Sequence, residues 1–253
     1  MKQLASISPH ERKFVVVKSE FDIKELRGEF SFKERHLQSL DQVNSFTKNN
    51  LIKYAKKHLK EYNAGGLLIQ YVRVSETTGL SFPPGHPQLN TLYVIHPTDN
   101  DLYYPASEFH HKVFEHKFSE VTSLLMALGA KEIYASHVRG WGREFAGVSV
   151  SAEFNSKLNG SDSIIYHSVF SPSKDFSPYV PENLKWLSYE SAWMEVVKGR
   201  LQFNLNKFEL KLNYTEDFGV NSNLKSGAEY LNIGLGGSFR KHDSTIWDIS
   251  GTF

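Results

Sequence analysis

The feature that most constrains the fold of this chain is a change in hydrophobic periodicity near residue 130. Over residues 107 to 128, apolar side chains recur at helical spacing and fill one broad sector of a helical wheel. Beyond that helix the pattern becomes an alternation of apolar and polar residues, which is typical of strands with one buried face. Three segments alternate in this way, at 144–154, 163–170 and 201–214. Two further strands are predicted after them, at 229–239 and 244–253. The chain therefore combines helices with antiparallel sheet.

The segments before residue 130 complete a prediction of the α+β class. Strands are predicted at 13–18, 66–74 and 91–97, a polar helical region ends at Gly65 and Gly66, and a Pro-rich loop spans 75–90. A further strand at 132–138 and a short helix at 188–199, closed by Gly199, follow. We expect a mainly antiparallel, twisted sheet with helices concentrated in the N-terminal half. One domain over residues 1–253 is predicted, with a boundary near 172–185 as the alternative.

Composition excludes several classes of function. The chain of 253 residues has no cysteine, which excludes disulfides and thiolate sites and favours a reducing, cytoplasmic location. Its formal net charge is +1, so no global field indicates a nucleic-acid partner. We find neither the apolar core of a secretory signal nor a membrane-spanning segment. No cofactor motif is present either, and no cofactor is predicted.

The stretch EFHHKVFEHKFSE at residues 108–120 resembles a metal site in composition but not in geometry. His111 with Glu115, and His116 with Glu120, are each spaced i to i+4, yet the two pairs point about 90° or more apart on the helix. No histidine of this stretch is four residues from another, as a zinc-protease helix requires. Ion pairing on the outer face is therefore predicted, and no metal site.

His110 and Lys117 are different because both fall on the apolar stripe of the helix. Buried polar groups need partners. The structural interpretation gives His110 a backbone carbonyl as its partner, and lets the ammonium of Lys117 reach a carboxylate or solvent. The functional interpretation is a pocket at the start of this helix, beside the Pro-rich loop.

An acid–base site is the candidate for catalysis. His86 and His96 each precede proline, which favours extended or turn conformation, and they lie near the predicted start of the helix in the sequence. Together with Glu108 and His110 they form the set from which a general acid and base could come. Structural roles for these histidines are the alternative.

Two basic features are candidates for contact with an anionic partner. Residues 1–62 carry thirteen Lys and Arg against eight Asp and Glu, and a predicted amphipathic helix places four lysines in one arc. Arg139, Trp141 and Arg143 form the second feature, in a turn between strands. The alternatives are a solvated lysine face and a tryptophan that caps the core. The four lysines are Lys53, Lys56, Lys57 and Lys60.

The sequence thus predicts a cytoplasmic, non-enzymatic binding protein. Its expected partner is nucleic acid or an acidic membrane surface, which lysine can contact as a point charge without fixed geometry. One alternative is an enzyme that uses histidine and glutamate acid–base chemistry at the Pro-rich loop and the helix start. The other is a module that docks a protein partner through an exposed apolar patch.

Overall fold

The computed structural model describes residues 13–19, 69–141, 164–173, 175–230 and 232–253. The chain divides into two compact units, each built from discontinuous segments. The first unit comprises residues 1–109 and 220–240, and the second comprises residues 110–219 and 241–253. Residues 172–185 lie within the second unit, and the assignment of one domain to the whole chain stays a prediction.

The first unit contains a sheet of four described strands in the order β2-β1-β3-β4. These strands are β1 Phe14–Lys18, β2 Ile69–Arg73, β3 Thr91–Ile95 and β4 Tyr103–Pro105. β1 pairs parallel with β2, whereas β1 with β3 and β3 with β4 are antiparallel. A parallel pair requires a long crossover between its strands, and residues 19 to 68 supply that length here.

Buried valine and tyrosine side chains form the core of the first unit. Val15, Val17, Tyr93 and Tyr103 are fully or almost fully buried in one cluster. Phe82, from the Pro-rich loop, packs edge-on against Tyr93 with ring centroids 5.1 Å apart. The loop is therefore anchored to the sheet by an aromatic contact.

The second unit contains a fully antiparallel sheet in the order β6-β5-β8-β7. Its strands are β5 Glu132–Arg139, β6 Ile164–Val169, β7 Lys207–Tyr214 and β8 Thr245–Thr252. β7 alternates between exposed and buried residues along its whole length, as a strand with one wet face should. The antiparallel pairing that the alternation predicted is confirmed for the described strands of this sheet.

Three helices lie in the described part of the chain: α1 Phe109–Ala127, α2 Ser191–Phe203 and α3 Ser222–Tyr230. α1 follows the predicted helix at 107–128 closely, and its apolar sector is buried at Val113, Phe114 and Leu125. It ends where Gly129 adopts a left-handed φ of +85°, which a glycine takes without steric cost.

The prediction that helices are concentrated in the N-terminal half is wrong, since the described helices lie between residues 109 and 230. α3 was missed because its sequence, SNLKSGAEY, has few apolar residues to define a face. α3 also includes the first residues of the strand predicted at 229–239, and the described part of that segment forms a single-residue bridge from Gly234 to Thr91. The predicted polar helical region before Gly65 lies outside the described residues.

The strand predicted at 201–214 begins only at Lys207. α2 continues through Gly199 to Phe203, and Asn204 then ends it in the left-handed conformation, with its amide bonded to the Gly199 carbonyl. A glycine inside a helix costs only about 1 kcal/mol, which tertiary packing can outweigh. The mixed α and β class with mostly antiparallel pairing is confirmed. None of the described helices is long and apolar enough to cross a membrane.

Candidate functional site

Several segments of the second unit meet at one end of its sheet. β7 ends at Tyr214, which pairs with Thr245 at the start of β8, and β5 ends at Arg139, which pairs with Ile246. The first turn of α1 adds His110, whose ring lies 5.9 Å from that of Tyr214. This end of the sheet gathers polar side chains that the sequence spreads over more than a hundred residues.

The buried partner of His110 is a tyrosine. Only 1% of His110 is exposed, and its Nδ1 lies 2.8 Å from the hydroxyl of Tyr214, of which 2% is exposed. The sequence indicated that His110 needs a partner, and the structural interpretation expected a backbone carbonyl. Burial raises the pKa of Tyr214, and the charges of Asp217 and Glu216 raise it further. The phenol therefore stays neutral and can either donate to His110 or accept from it.

A second histidine, His242, comes from the segment that leads into β8. Its ring lies 4.9 Å from the ring of His110 and 5.6 Å from that of Tyr214. Nε2 of His242 is buried and has no hydrogen-bond partner among the described residues. Burial lowers the pKa of His242, although Asp217 and Asp243 oppose this effect. The imidazole is therefore neutral at neutral pH and keeps one nitrogen lone pair.

Trp141 forms an aromatic wall beside these groups. Its ring stacks on Tyr214 at 5.9 Å and meets Phe114 edge-on at 6.4 Å. Its backbone is held at both ends, because its amide donates to Thr245 Oγ1 at 3.1 Å and its carbonyl accepts from Trp247 Nε1 at 2.9 Å. Trp141 is half-buried, so the turn that carries it folds back onto the unit.

Asp217 places a negative charge near the polar groups of this end. Its Oδ1 accepts a hydrogen bond from the amide of Gly219 at 2.9 Å, which fixes the turn after β7. The same carboxylate raises the pKa of Tyr214, and it also acts on that of His242. We call the set His110, Tyr214, His242 and Asp217 the histidine–tyrosine cluster.

The cluster can hold and move protons. If Nδ1–H of His110 donates to the Tyr214 oxygen, the phenol proton is free to point at another acceptor. Neutral His242 can accept a proton at a ring nitrogen. The phenol of Tyr214 and the imidazole of His242 are thus an acid and a base with ring centres 5.6 Å apart. The environment of each favours its neutral form.

The other predicted catalytic residues, His86, His96 and Glu108, lie in the first unit. His86 Nδ1 lies 2.6 Å from the Tyr93 hydroxyl. His96 is 1% exposed, and its Nδ1 accepts from the amide of Thr98 at 3.2 Å. Glu108 is exposed. A catalytic role for His86, His96 and Glu108 stays a prediction.

Of the predicted anionic contact surface, only Arg139 and Trp141 are described. Lys53, Lys56, Lys57, Lys60 and Arg143 lie outside the described residues. Arg139 is exposed, and its Nη2 donates to Ser244 Oγ at 3.0 Å. No group of three or more metal-ligating side chains occurs within the described ranges.

The charged residues of α1 follow their predicted pairing, with one addition. His111 lies 3.3 Å from Glu115 and His116 lies 3.0 Å from Glu120, both as i to i+4 pairs. Glu120 is only 6% exposed, however, so its pair is not a surface one. It also accepts from the amides of Lys185 and Trp186 at 2.9 Å, and so fixes the loop before α2.

Lys117 is buried as predicted, with its ammonium at a carboxylate. Its Nζ pairs with Glu190 and donates to the Asn213 carbonyl at 2.7 Å. The same ammonium lies 4.9 Å from the centre of the Trp186 ring. These contacts satisfy the charge and give Lys117 a structural role.

Tyr214 and His242 were missed by the sequence analysis. Tyr214 is the last inward residue of an alternating strand, so its hydroxyl was a signal that a buried polar partner was needed. His242 stands in an irregular segment, KHDS, with no periodicity that could place it. Comparisons with known proteins give no relative, because no family model, curated protein or solved structure matches the chain.

Proposed function

We propose that this protein is an enzyme that performs general acid–base chemistry on a small polar substrate at the histidine–tyrosine cluster. The observation that carries the proposal is the convergence of His110, Tyr214 and His242, with one buried nitrogen of His242 directed at no described partner. Buried polar atoms in folded proteins are nearly always paired, so an unpaired ring nitrogen beside two other polar groups calls for an explanation.

Each member of the cluster has a distinct proposed role. His242 accepts a proton from the substrate, because it is neutral at neutral pH. Tyr214 donates its phenol proton to the oxygen or nitrogen that becomes basic, and Nδ1–H of His110 stabilises the resulting phenolate. Asp217 attracts the imidazolium that forms on His242.

The test is a screen of the purified protein against ester, phosphoester, glycoside and carbonyl substrates. Where turnover is found, Tyr214→Phe and His242→Gln should each lower kcat by about 100-fold, because each removes one proton-transfer group. The control is His111→Gln, which changes the neighbouring histidine on the outer face of α1 and should leave kcat unchanged. Thermal unfolding of each variant monitors the fold.

The pH profile gives a second readout of the same proposal. Because the pKa of His242 is lowered, the base should remain active below pH 6.5, the ordinary value for histidine. Loss of half the activity at or above pH 6.5 would contradict the assignment of His242. Inertness towards every substrate class, or full activity in both cluster variants, would contradict the enzyme itself.

A second candidate function is the cytoplasmic contact with an anionic partner that the sequence predicts. Arg139 supports it, since its guanidinium is exposed at the end of β5. Binding to duplex nucleic acid or to vesicles with acidic lipid should fall steeply as salt is added. The variant with Lys53, Lys56, Lys57 and Lys60 changed to Glu should lose it, and Arg139→Glu should weaken it. Salt-independent binding, or binding unchanged in the four-lysine variant, argues against this function.

A further inference from the structure

A cleft of about 550 Å³ lies in the second unit between the start of α2 and strand β7. Its volume is within the roughly 300–1,000 Å³ that small-molecule sites usually have. One wall consists of Tyr189, Glu190 and the first two residues of α2, and the other consists of residues of β7 between Glu209 and Asn213. These lining residues differ from those of the histidine–tyrosine cluster.

The wall that carries Tyr189 is fixed by two charged residues of α1. Glu120 accepts hydrogen bonds from the amides of residues 185 and 186, and Lys117 pairs with Glu190. Both α1 side chains are buried. Tyr189 lies between these two anchored points, and 68% of it is exposed. Because the wall is already fixed, a ligand that packs on the tyrosine ring does not have to order the segment that carries it.

The charged side chains in and beside the cleft cancel one another. The ion pair with α1 neutralises Glu190, and Lys211 lies 3.3 Å from Asp248. On the outward face of β7, Glu209 lies between Lys207 and Lys211, two residues away in each direction. The cleft and its edge thus hold as many cations as carboxylates, so a ligand of either net charge gains little here. A neutral ligand fits this balance.

Several polar side chains of the cleft have hydrogen-bonding capacity that the protein does not use. Those of Ser191, Glu209 and Asn213 form no hydrogen bond or ion pair within the part of the chain that the structure describes. The backbone carbonyl of Asn213, by contrast, already accepts from Lys117. The serine hydroxyl and the asparagine amide can both donate and accept, whereas the carboxylate only accepts. A ligand rich in hydroxyl groups is complementary to this mixture, since each hydroxyl can also donate and accept.

We propose that the cleft between α2 and β7 binds a neutral saccharide in the pyranose form. The apolar C–H face of the sugar ring packs on the exposed ring of Tyr189, and the sugar hydroxyls bond with Ser191, Glu209 and Asn213. An apolar ligand would bury these polar side chains without partners, which is unfavourable. This proposal does not depend on catalysis at the histidine–tyrosine cluster.

The probes are the neutral trisaccharides maltotriose, cellotriose, mannotriose and triacetylchitotriose, each titrated into the full chain by isothermal titration calorimetry. At least one should bind, and Tyr189→Ala should weaken its binding about tenfold or more, because the ring that packs on the sugar is lost. The matched control is Tyr179→Ala, which removes a tyrosine that is 58% exposed and lies outside the cleft. That control should bind the sugar as the unaltered protein does.

Two further arms test the polar side of the cleft. Asn213→Ala should weaken binding about threefold or more, because it removes a hydrogen bond to the sugar. A sulfated form of the same trisaccharide should bind no more tightly than the neutral one, since the charges of the cleft cancel. Absence of binding by every neutral trisaccharide at millimolar concentration, unchanged binding in either cleft variant, equal losses in the two tyrosine variants, or tighter binding of the sulfated sugar would overturn the proposal.

The source of the sugar is identified by a last comparison. The trisaccharide that binds is tested free and coupled through its reducing end to albumin. Binding of the free form alone assigns a soluble sugar to the cleft, and binding of both forms assigns the end of a glycan chain.

Discussion

Replacing Gly251 by alanine should destabilise the second unit by about 3 kcal/mol or more, one of the largest effects expected for a methyl group in this chain. Gly251 lies in β8 between Ile133 of β5 and Phe208 of β7. A Cβ at this position would collide with the backbone carbonyl of Glu132 and lie 2.6 Å from the Phe208 ring. Backbone atoms in a central ladder cannot retreat without losing their hydrogen bonds, so the strands must separate locally.

Equilibrium unfolding in urea measures this effect. The matched control is Gly199→Ala in α2, where the atom nearest to the new Cβ belongs to the flexible side chain of Leu205, at 3.1 Å. Alanine also gains about 1 kcal/mol over glycine in a helix, which offsets that contact. We therefore expect Gly199→Ala to stay within about 1 kcal/mol of the unaltered protein. A loss below about 1 kcal/mol in Gly251→Ala would contradict the close approach of β5 and β8 at this position.

Replacing Glu120 by alanine should cost about 3 kcal/mol, because it removes a buried acceptor from several donors at once. The amides of Lys185 and Trp186 would lose their carboxylate, and His116 would lose its ion pair. Glu115→Ala on the same helix is the control, since its pairs are more exposed and should contribute only about 0.5 kcal/mol. Similar losses in the two variants, measured by urea unfolding, would show that the Glu120 contacts do not stabilise the fold.

The contribution of Glu120 should also depend on pH. Burial alone would raise its pKa, but hydrogen bonds from His116, Trp186 and Lys185 outweigh burial and lower it. Because the pKa of Glu120 is lowered in the folded state, its ionised carboxylate stabilises the protein at pH values above 4.5, the ordinary pKa of a glutamate. This stabilisation is lost as the pH falls below 4.5. The difference in unfolding free energy between the unaltered protein and Glu120→Ala should therefore shrink below pH 4.5. A difference independent of pH would exclude an ionised Glu120 as its source.

Local periodicity predicted the regular elements that have a strong apolar face. α1 and β8 appear close to their expected limits because their buried residues repeat at the period of a helix or a strand. α3 and the last turn of α2 were not predicted. The first has few apolar residues, and the second continues through Gly199 and ends at Asn204, which adopts the left-handed conformation instead of the glycine.

The candidate site was predictable only in part. His110 could be identified because a polar residue on an apolar helical stripe must have a partner, but the identity of that partner depends on pairing between distant segments. Tyr214 and His242 reach the cluster through the register of β7 with β8, in which Tyr214 lies opposite Thr245. Sequence periodicity fixes which residues of a strand face inward, but not which strands are neighbours.

The order of strands in the second sheet also governs how this unit can fold. β8 lies between β5 and β7, although both precede it in the sequence, and the first unit's residues 220–240 lie between β7 and β8. During synthesis, β5 can form a hairpin-like pair with β6, but β7 has no described strand to join until β8 has emerged. Such non-local closure makes folding slow and leaves strand edges exposed in the meantime. We therefore expect chaperones to bind nascent chains in which β8 has not yet emerged more than chains in which it has.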